Sequence, residues 1–400
     1  MKWRNLAVLV GVVVLLVSFA YGQDPRDPIY DRDPSGTDAF GILHTEWEGD
    51  RAITSTATNL KSLDIDGNYV YAVGESLMAT FSILYPLSPS LVNEYKLSGY
   101  NSLSFEDIEV RGNFAFIVGG YRVSSVWYGI ILVLNIGFPD SPTFVDIFTH
   151  DNSYYTAIDL EGNIAYVTDY TGFICTFDIT TLTSIWIRNR SDIHPRAHDL
   201  VVDGNIAYVA NPSEIQSFNV SDPDNPAHMA NSTWYRWVKD IYIDGDYLFA
   251  ATIVGANYGL RKFDIESTTA IIDSSSADWW DLGMSYGVTV MGDWAYTVGY
   301  YTNHDDTTYS TIRGYDVTDS VDTVSKINFR NERLTRMQKN GETMMYAIGK
   351  CDSTDKGVLR AIRVAYPDSN AVDSSSIEFI SINYGHPLGN GFSEPSQIEV

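Results

Sequence analysis

The sequence predicts an all-β protein, a β-propeller of seven four-stranded blades, with eight blades as the alternative count. Three observations carry this. A glycine-centred hairpin pattern recurs seven times, and its copies lie 41 to 50 residues apart. Each copy has room for about four short strands, which is the length of a propeller blade. Aromatic residues make up 13% of the chain, with 27 Tyr, 17 Phe and 9 Trp, and flat rings favour pleated surfaces. Helical solenoids are excluded, because no copy holds a helical period long enough to pack.

The first segment stands outside the repeats. Lys2 and Arg4 precede an apolar run from Leu6 to Ala20 that ends in Ala20-Tyr21-Gly22. The run is shorter than the roughly 20 residues a spanning helix needs. Residues 1–22 therefore read as a signal peptide cleaved before Gln23, with an uncleaved anchor as the alternative. Residues 23–39, rich in Asp and Pro and without a helical or strand period, read as a flexible leader. Residues 40–400 form one propeller domain with a repeat core at 60–384. The expected location is secreted or at the cell surface.

The hairpins run LDIDGNYVYAV (63–73), IEVRGNFAFIV (108–118), IDLEGNIAYVT (158–168), LVVDGNIAYVA (200–210), IYIDGDYLFAA (241–251), VTVMGDWAYTV (288–298) and, more weakly, MQKNGETMMYAI (337–348). Their turn glycines are Gly67, Gly112, Gly162, Gly204, Gly245, Gly292 and Gly341. Gly flanked by Asp or Asn supplies the positive φ that a tight turn between twisted strands demands. In the seventh copy the tyrosine Tyr346 comes one residue late, so a bulge or longer turn is expected there. A third strand follows each hairpin, as in FDI (177–179) and FNV (218–220). Turn chemistry such as Ser221-Asp-Pro-Asp-Asn-Pro226 and an outer strand such as TFVDIF (143–148) then complete the unit.

The pairing of VVDGNIAYVA (201–210) with FNVSDPDNPAHM (218–229) resembles the LVIVD-repeat β-propeller proteins. The resemblance covers about residues 60 to 384 and is strongest in copies two to six. It implies a propeller of an exported or surface protein and carries over no catalytic residue. Ring closure has two candidates: Phe40 to Trp47 as an outer strand sealing the last blade, and Gln397–Val400, which repeats the opening of copy two at Asp107–Val110.

Charge narrows the partners. Lys and Arg number 26 against 51 Asp and Glu, a net −25, which repels phosphate backbones and disfavours nucleic acid. Cys175 and Cys351 lie in distant copies and are expected as free, mostly buried thiols. No Gly-x-Ser-x-Gly elbow, phosphate-cradling loop or His-Glu-x-x-His motif occurs, so no catalytic residue is assigned. His194 and His198 have a four-residue spacing that suits a metal only on a helix, which Pro195 opposes. Asp222-Pro-Asp224 offers carboxylates for calcium but lacks the alternating ligand loop, so no cofactor is assigned.

What remains are the loops leading into each inner strand, the default ligand surface of a propeller. They carry Tyr154, Tyr155, His198, Trp234, Trp237, Trp279, Trp280 and Arg336 as candidate ligand-binding residues. Rings interleaved with polar groups suit a sugar face or a protein hot spot, while the competing role is packing between blades. The leading expectation is a non-enzymatic propeller that binds a surface protein or polysaccharide through this rim. The alternatives are an extracellular hydrolase or lyase with carboxylates converging at the channel mouth, and a structural module of an envelope assembly or longer adhesin.

Overall fold

The computed structural model describes residues 51–365 and 378–380, apart from 101, 233–236, 254–257, 268–269, 280–283, 303–306, 319–320 and 342. The proposed signal peptide and leader, Phe40–Trp47, Gln397–Val400, Trp234 and Trp280 lie outside the described residues. Among the described residues every regular element is a strand, and the strands form seven antiparallel sheets. The protein is a seven-bladed β-propeller. In chain order the inner strands of blades 1 to 7 are Ser62–Asp66, Ser104–Arg111, Tyr155–Glu161, Asp199–Asp203, Val238–Asp244, Gly287–Met291 and Glu332–Asn340.

Local chemistry builds each blade. All seven turn glycines have positive φ, from 55° to 70°, so the inner hairpin closes without Cβ strain. In blade 1 Asp66 pairs with Tyr69 across a two-residue turn. In blade 7 Asn340 pairs with Met344, so the late tyrosine there reflects a turn one residue longer. The third strand ends in an Asx turn in five blades: Asn135, Asp178, Asn219, Asp264 and Asp316 each accept the N–H two residues on, at 2.9–3.0 Å. These Asp and Asn side chains are turn formers.

Packing closes the ring. Seven hydrophobic clusters are seen among the described residues, each shared by two neighbouring blades. The period of two explains how one strand serves two clusters. In the second strand of blade 1, Val70 and Ala72 pack toward blade 7, while Tyr71 and Val73 pack toward blade 2. Blade 7 is sealed by Arg51–Ala57, which pairs with the strand Lys356–Ala365. The sealing strand thus lies just after the expected Phe40–Trp47. Its alternation buries Ala52 and Thr54, and Arg51 donates to Glu332 on the inner strand at 2.8 Å. Arg360 grips the same fully buried Glu332 with two bonds of 2.7 and 2.8 Å, which ties three strands of the blade together.

Candidate functional site

Two stations on each inner strand surround the channel. Five residues before the turn glycine stand Ser62, Asp107, Ala157, Asp199, Asp240, Gly287 and Arg336. Three residues before it stand Asp64, Glu109, Asp159, Val201, Tyr242, Thr289 and Gln338. Inner strands are sheet edges, and their channel-side N–H groups need acceptors. The aspartates supply them from blade to blade. At the upper station Asp107 accepts Ile158 N–H, Asp199 accepts Ile241 N–H and Asp240 accepts Val288 N–H, at 2.7–2.8 Å. At the lower station Asp64 accepts Val110 N–H at 2.6 Å and Asp159 accepts Val202 N–H at 2.5 Å.

Arg336 crosses the channel from blade 7 to blades 4 and 5. Its guanidinium donates to Asp199 Oδ1 at 3.1 Å and forms an ion pair with Asp240. Gly287 makes room for it: a Cβ there would lie 3.0 Å from Arg336 Cα and 3.1 Å from the Thr335 carbonyl. Burial pushes the Asp107 carboxyl up to about 7, against the pull of Arg336 and its hydrogen bonds. Among the described residues no cation forms an ion pair with the lower-station acids. Burial, and then Asp64, Asp159 and Asp107, hold Glu109 well above the usual carboxylate range. The Glu109 carboxyl makes no hydrogen bond among the described residues. Burial likewise raises Asp64, and raises Asp159 to about 6.

Above the channel, the mouth differs from blade to blade. At blades 4 and 5, Lys239 Nζ lies 3.1 Å from His198 Nε2 and 5.1 Å from the Trp237 ring centre. The imidazole stacks on the same indole at 6.2 Å and 23°. Burial, then Lys239, Arg336 and Arg196, lower His198 to about 3, so the ring is neutral and accepts from the ammonium. Burial and Arg336 lower Lys239 to about 8.

At blades 1 to 3, Lys61 donates to Ser104 at 2.8 Å and to Glu106 at 2.5 Å, and the Tyr154 hydroxyl donates to Glu106. Tyr154 meets Trp127 edge-on at 5.0 Å and Tyr170 at 6.4 Å. Arg122 stands 5.7 Å from the Trp127 ring centre. Trp127 is 38% exposed and Tyr170 43%. Gly120 leaves the space that Tyr154 fills, since a Cβ there would lie 2.6 Å from the ring. At blades 6 and 7, Tyr286 stacks on Tyr300 at 5.0 Å, and Arg333 lies over Tyr300 while pairing with Asp352 at 2.9 Å.

The residues singled out from sequence fare differently. Tyr154, His198 and Trp237 stand at the mouth. Tyr155 is fully buried between blades 2 and 3, stacking edge-on with Phe177, and takes the packing role. Arg336 serves the channel ion pairs rather than the rim. Trp279 ends the outer strand Ile272–Trp279 of blade 5, away from the channel-lining strands. Cys175 and Cys351 are both free and buried. His194 pairs with Glu214 at 2.7 Å while His198 meets Lys239, so the two histidines do not converge. Asp222 caps the Asp224 N–H at 3.1 Å, and Asp224 holds Arg188 through two bonds of 2.7 Å.

Sequence reasoning missed the channel aspartates, Lys239, and the group of Arg122, Trp127 and Tyr170. One signal for the last was present. The 50-residue spacing between Gly112 and Gly162 makes room for a long hairpin, Phe114–Val123 with Val126–Asn135, whose tip carries Arg122 and Trp127.

No family model matches the chain, and no curated protein matches it. Solved structures do. The computationally designed Ika8 protein is similar at 12% identity and TM-score 0.52, over 78% of this chain and 99% of that one. A chain of a mitotic checkpoint complex is similar at 11% identity and TM-score 0.58, over 86% of this chain and 96% of that one. At such identities the likeness shows the propeller fold alone.

Proposed function

We propose that this protein is an exported, non-enzymatic propeller of the LVIVD-repeat kind that binds a surface polysaccharide at the rim above the channel. The observation that carries the reading is a division of labour. Of the channel acids, Asp64, Asp107, Asp159, Asp199 and Asp240 accept backbone N–H groups of the next blade, so they serve the ring itself. The rim instead offers half-exposed rings beside polar groups, Trp127 and Tyr170 at one place and Trp237 at another. Flat rings stack on the apolar faces of sugars, and adjoining donors and acceptors such as Lys61, Glu106 and Arg122 suit hydroxyl groups. The protein-partner reading uses the same rings and is the other outcome of the test.

The test is binding of the purified chain to an array of extracellular polysaccharides, repeated with Trp127→Ala and Trp237→Ala. Loss of glycan binding in either folded variant supports the reading. Wild-type protein that binds no glycan overturns it.

The extracellular-enzyme reading draws on one feature, two channel carboxyls, Glu109 and Asp159, both raised above the usual carboxylate range by burial. Its test is product formation from any bound glycan: release of shorter chains by wild type and not by Glu109→Gln would establish it.

A further inference from the structure

The mouth between blades 4 and 5 is built differently from the rest of the rim, beginning with its backbone. Arg196 and Trp237 occupy the same place in consecutive blades, eight residues before the turn glycine. Both are left-handed, with φ of 70° and 65°. Each N–H docks on a carbonyl of the preceding blade, Arg196 on Tyr170 at 2.9 Å and Trp237 on Pro212. Glycine would adopt this conformation without strain, yet both positions carry long side chains, which raises the question of what those side chains do.

Their surroundings give an answer. Lys239 is partly buried and, among the described residues, faces no carboxylate: its contacts there are the neutral imidazole of His198 and the Trp237 ring. Arg196 is exposed and, among the described residues, makes no ion pair. Arg336 lies just below with both arms engaged. On a chain of net charge −25, Lys239 and Arg196 are two mouth cations without a carboxylate partner among the described residues. Lys239 and His198 hydrogen-bond to each other and therefore lie on one side of the indole, while Trp237 remains 41% exposed. A half-exposed indole beside two cations that have no carboxylate partner among the described residues matches a sugar that carries its own negative charge.

We propose that the cleft formed by Arg196, His198, Trp237 and Lys239 is a subsite for a carboxylated sugar, such as a uronic acid unit of an acidic polysaccharide. The sugar face stacks on Trp237 and its carboxylate meets Lys239 and Arg196. This rests on the glycan-binding reading above and adds the charge class of the ligand.

The experiment compares an oligomer of a uronic acid with the neutral oligomer of the parent sugar by calorimetry, on wild type, Lys239→Met and Trp237→Ala. The expected result is a preference of about tenfold or more for the acidic oligomer, weakened by salt and by raising the pH above the lowered Lys239 value. That preference is lost in Lys239→Met, while Trp237→Ala weakens both oligomers. Equal binding of the two oligomers overturns the charged subsite and leaves the rim reading intact. Absence of any binding to wild type overturns both. Inorganic phosphate that competes as well as the acidic oligomer at equal concentration overturns the sugar component. A circular dichroism spectrum and melting curve matching wild type qualify each variant, and Lys239→Arg, which keeps the charge, restores the preference if charge is what selects.

Discussion

The ring has two unlike arcs. In blades 6, 7, 1 and 2, the residue seven or eight positions after the turn glycine is itself glycine: Gly299, Gly349, Gly74 and Gly119. A Cβ at these places would stand 1.4–2.1 Å from a carbonyl at the entry to the blade's own inner strand, namely Met284, Arg333, Asn59 or Ser104. The entry backbone there lies close on the hairpin. In blades 3, 4 and 5 the same place holds Asp169, Asn211 and Thr252, so no such close approach of backbone occurs there. In blades 4 and 5 the lead-in residue turns left-handed instead, and the cationic mouth forms there. The missing Cβ thus separates an arc whose entry backbone packs closely on the hairpin from the arc that contains the cationic mouth.

The strongest break would be at the tie between arcs, because Arg336 reaches from blade 7 to Asp199 and Asp240. Arg336→Ala leaves two buried carboxylates without their cation, a loss of about 3–5 kcal/mol by the usual measure of breaking such a pair. Denaturant unfolding measures it. Adding Asp199→Asn and Asp240→Asn should recover part of the loss, and no recovery would mean that Arg336 acts by packing alone.

Next in size is the glycine rule itself. Gly119→Ala places a methyl group 2.1 Å from the Ser104 carbonyl and 2.9 Å from Phe105 Cα, where only backbone can yield. A loss of about 3 kcal/mol is expected, the upper end of overpacking. The opposite exchange, Asn211→Gly in blade 4, meets no clash and removes the amide bond to Gln216, 3.0 Å long, for about 1 kcal/mol. Equal losses from the two substitutions would erase the distinction between arcs.

These arcs bear on how far sequence reading reached. The turn glycines were visible because a type of turn demands them, and the strand count followed from spacing. The glycines seven or eight residues later were present in the same pattern, as in Val73-Gly74 and Val118-Gly119, but their purpose depends on a carbonyl fifteen or so residues away. The aspartates of the inner strands read as ordinary polar positions of alternating strands, since their partners are N–H groups on the next blade, some 40 to 50 residues on. Tyr154 and Tyr155 illustrate the same limit. Adjacent strand residues face opposite ways, so one reaches the mouth and the other the core, and the parity is set by packing against blade 2.

A gentler comparison sets the lower channel station against the upper. Glu109 has no cation opposite it, only Asp64, Asp159 and Asp107, with Arg111 alone lowering its value. Its carboxyl binds a proton more tightly folded than unfolded. Its favourable contribution is therefore complete below the ordinary carboxylate value and is lost as pH rises through the raised folded value. Glu109→Gln should match wild type near pH 4 and exceed it at pH 8, by an amount on the order of 1 kcal/mol. The opposing effect of His198, lowered to about 3, is common to both proteins and cancels in the difference. A difference that does not grow with pH between 4 and 8 would show that Glu109 finds a partner in solution.

The smallest effect probes whether strain at the mouth is kept for binding. Arg196 is exposed, left-handed and without an ion pair among the described residues, so its side chain adds little to the fold. A left-handed residue with a Cβ bears roughly 1 kcal/mol of strain that glycine lacks, partly offset by the greater freedom of glycine in the unfolded chain. Arg196→Gly should leave stability unchanged or raise it by up to about 0.5 kcal/mol, while affinity for the acidic oligomer falls. Stability and affinity moving in opposite directions is the signature of a residue retained for its ligand. A variant that loses stability and keeps its affinity would instead assign Arg196 to the docking of blade 4 on blade 3, making its left-handed turn part of the ring.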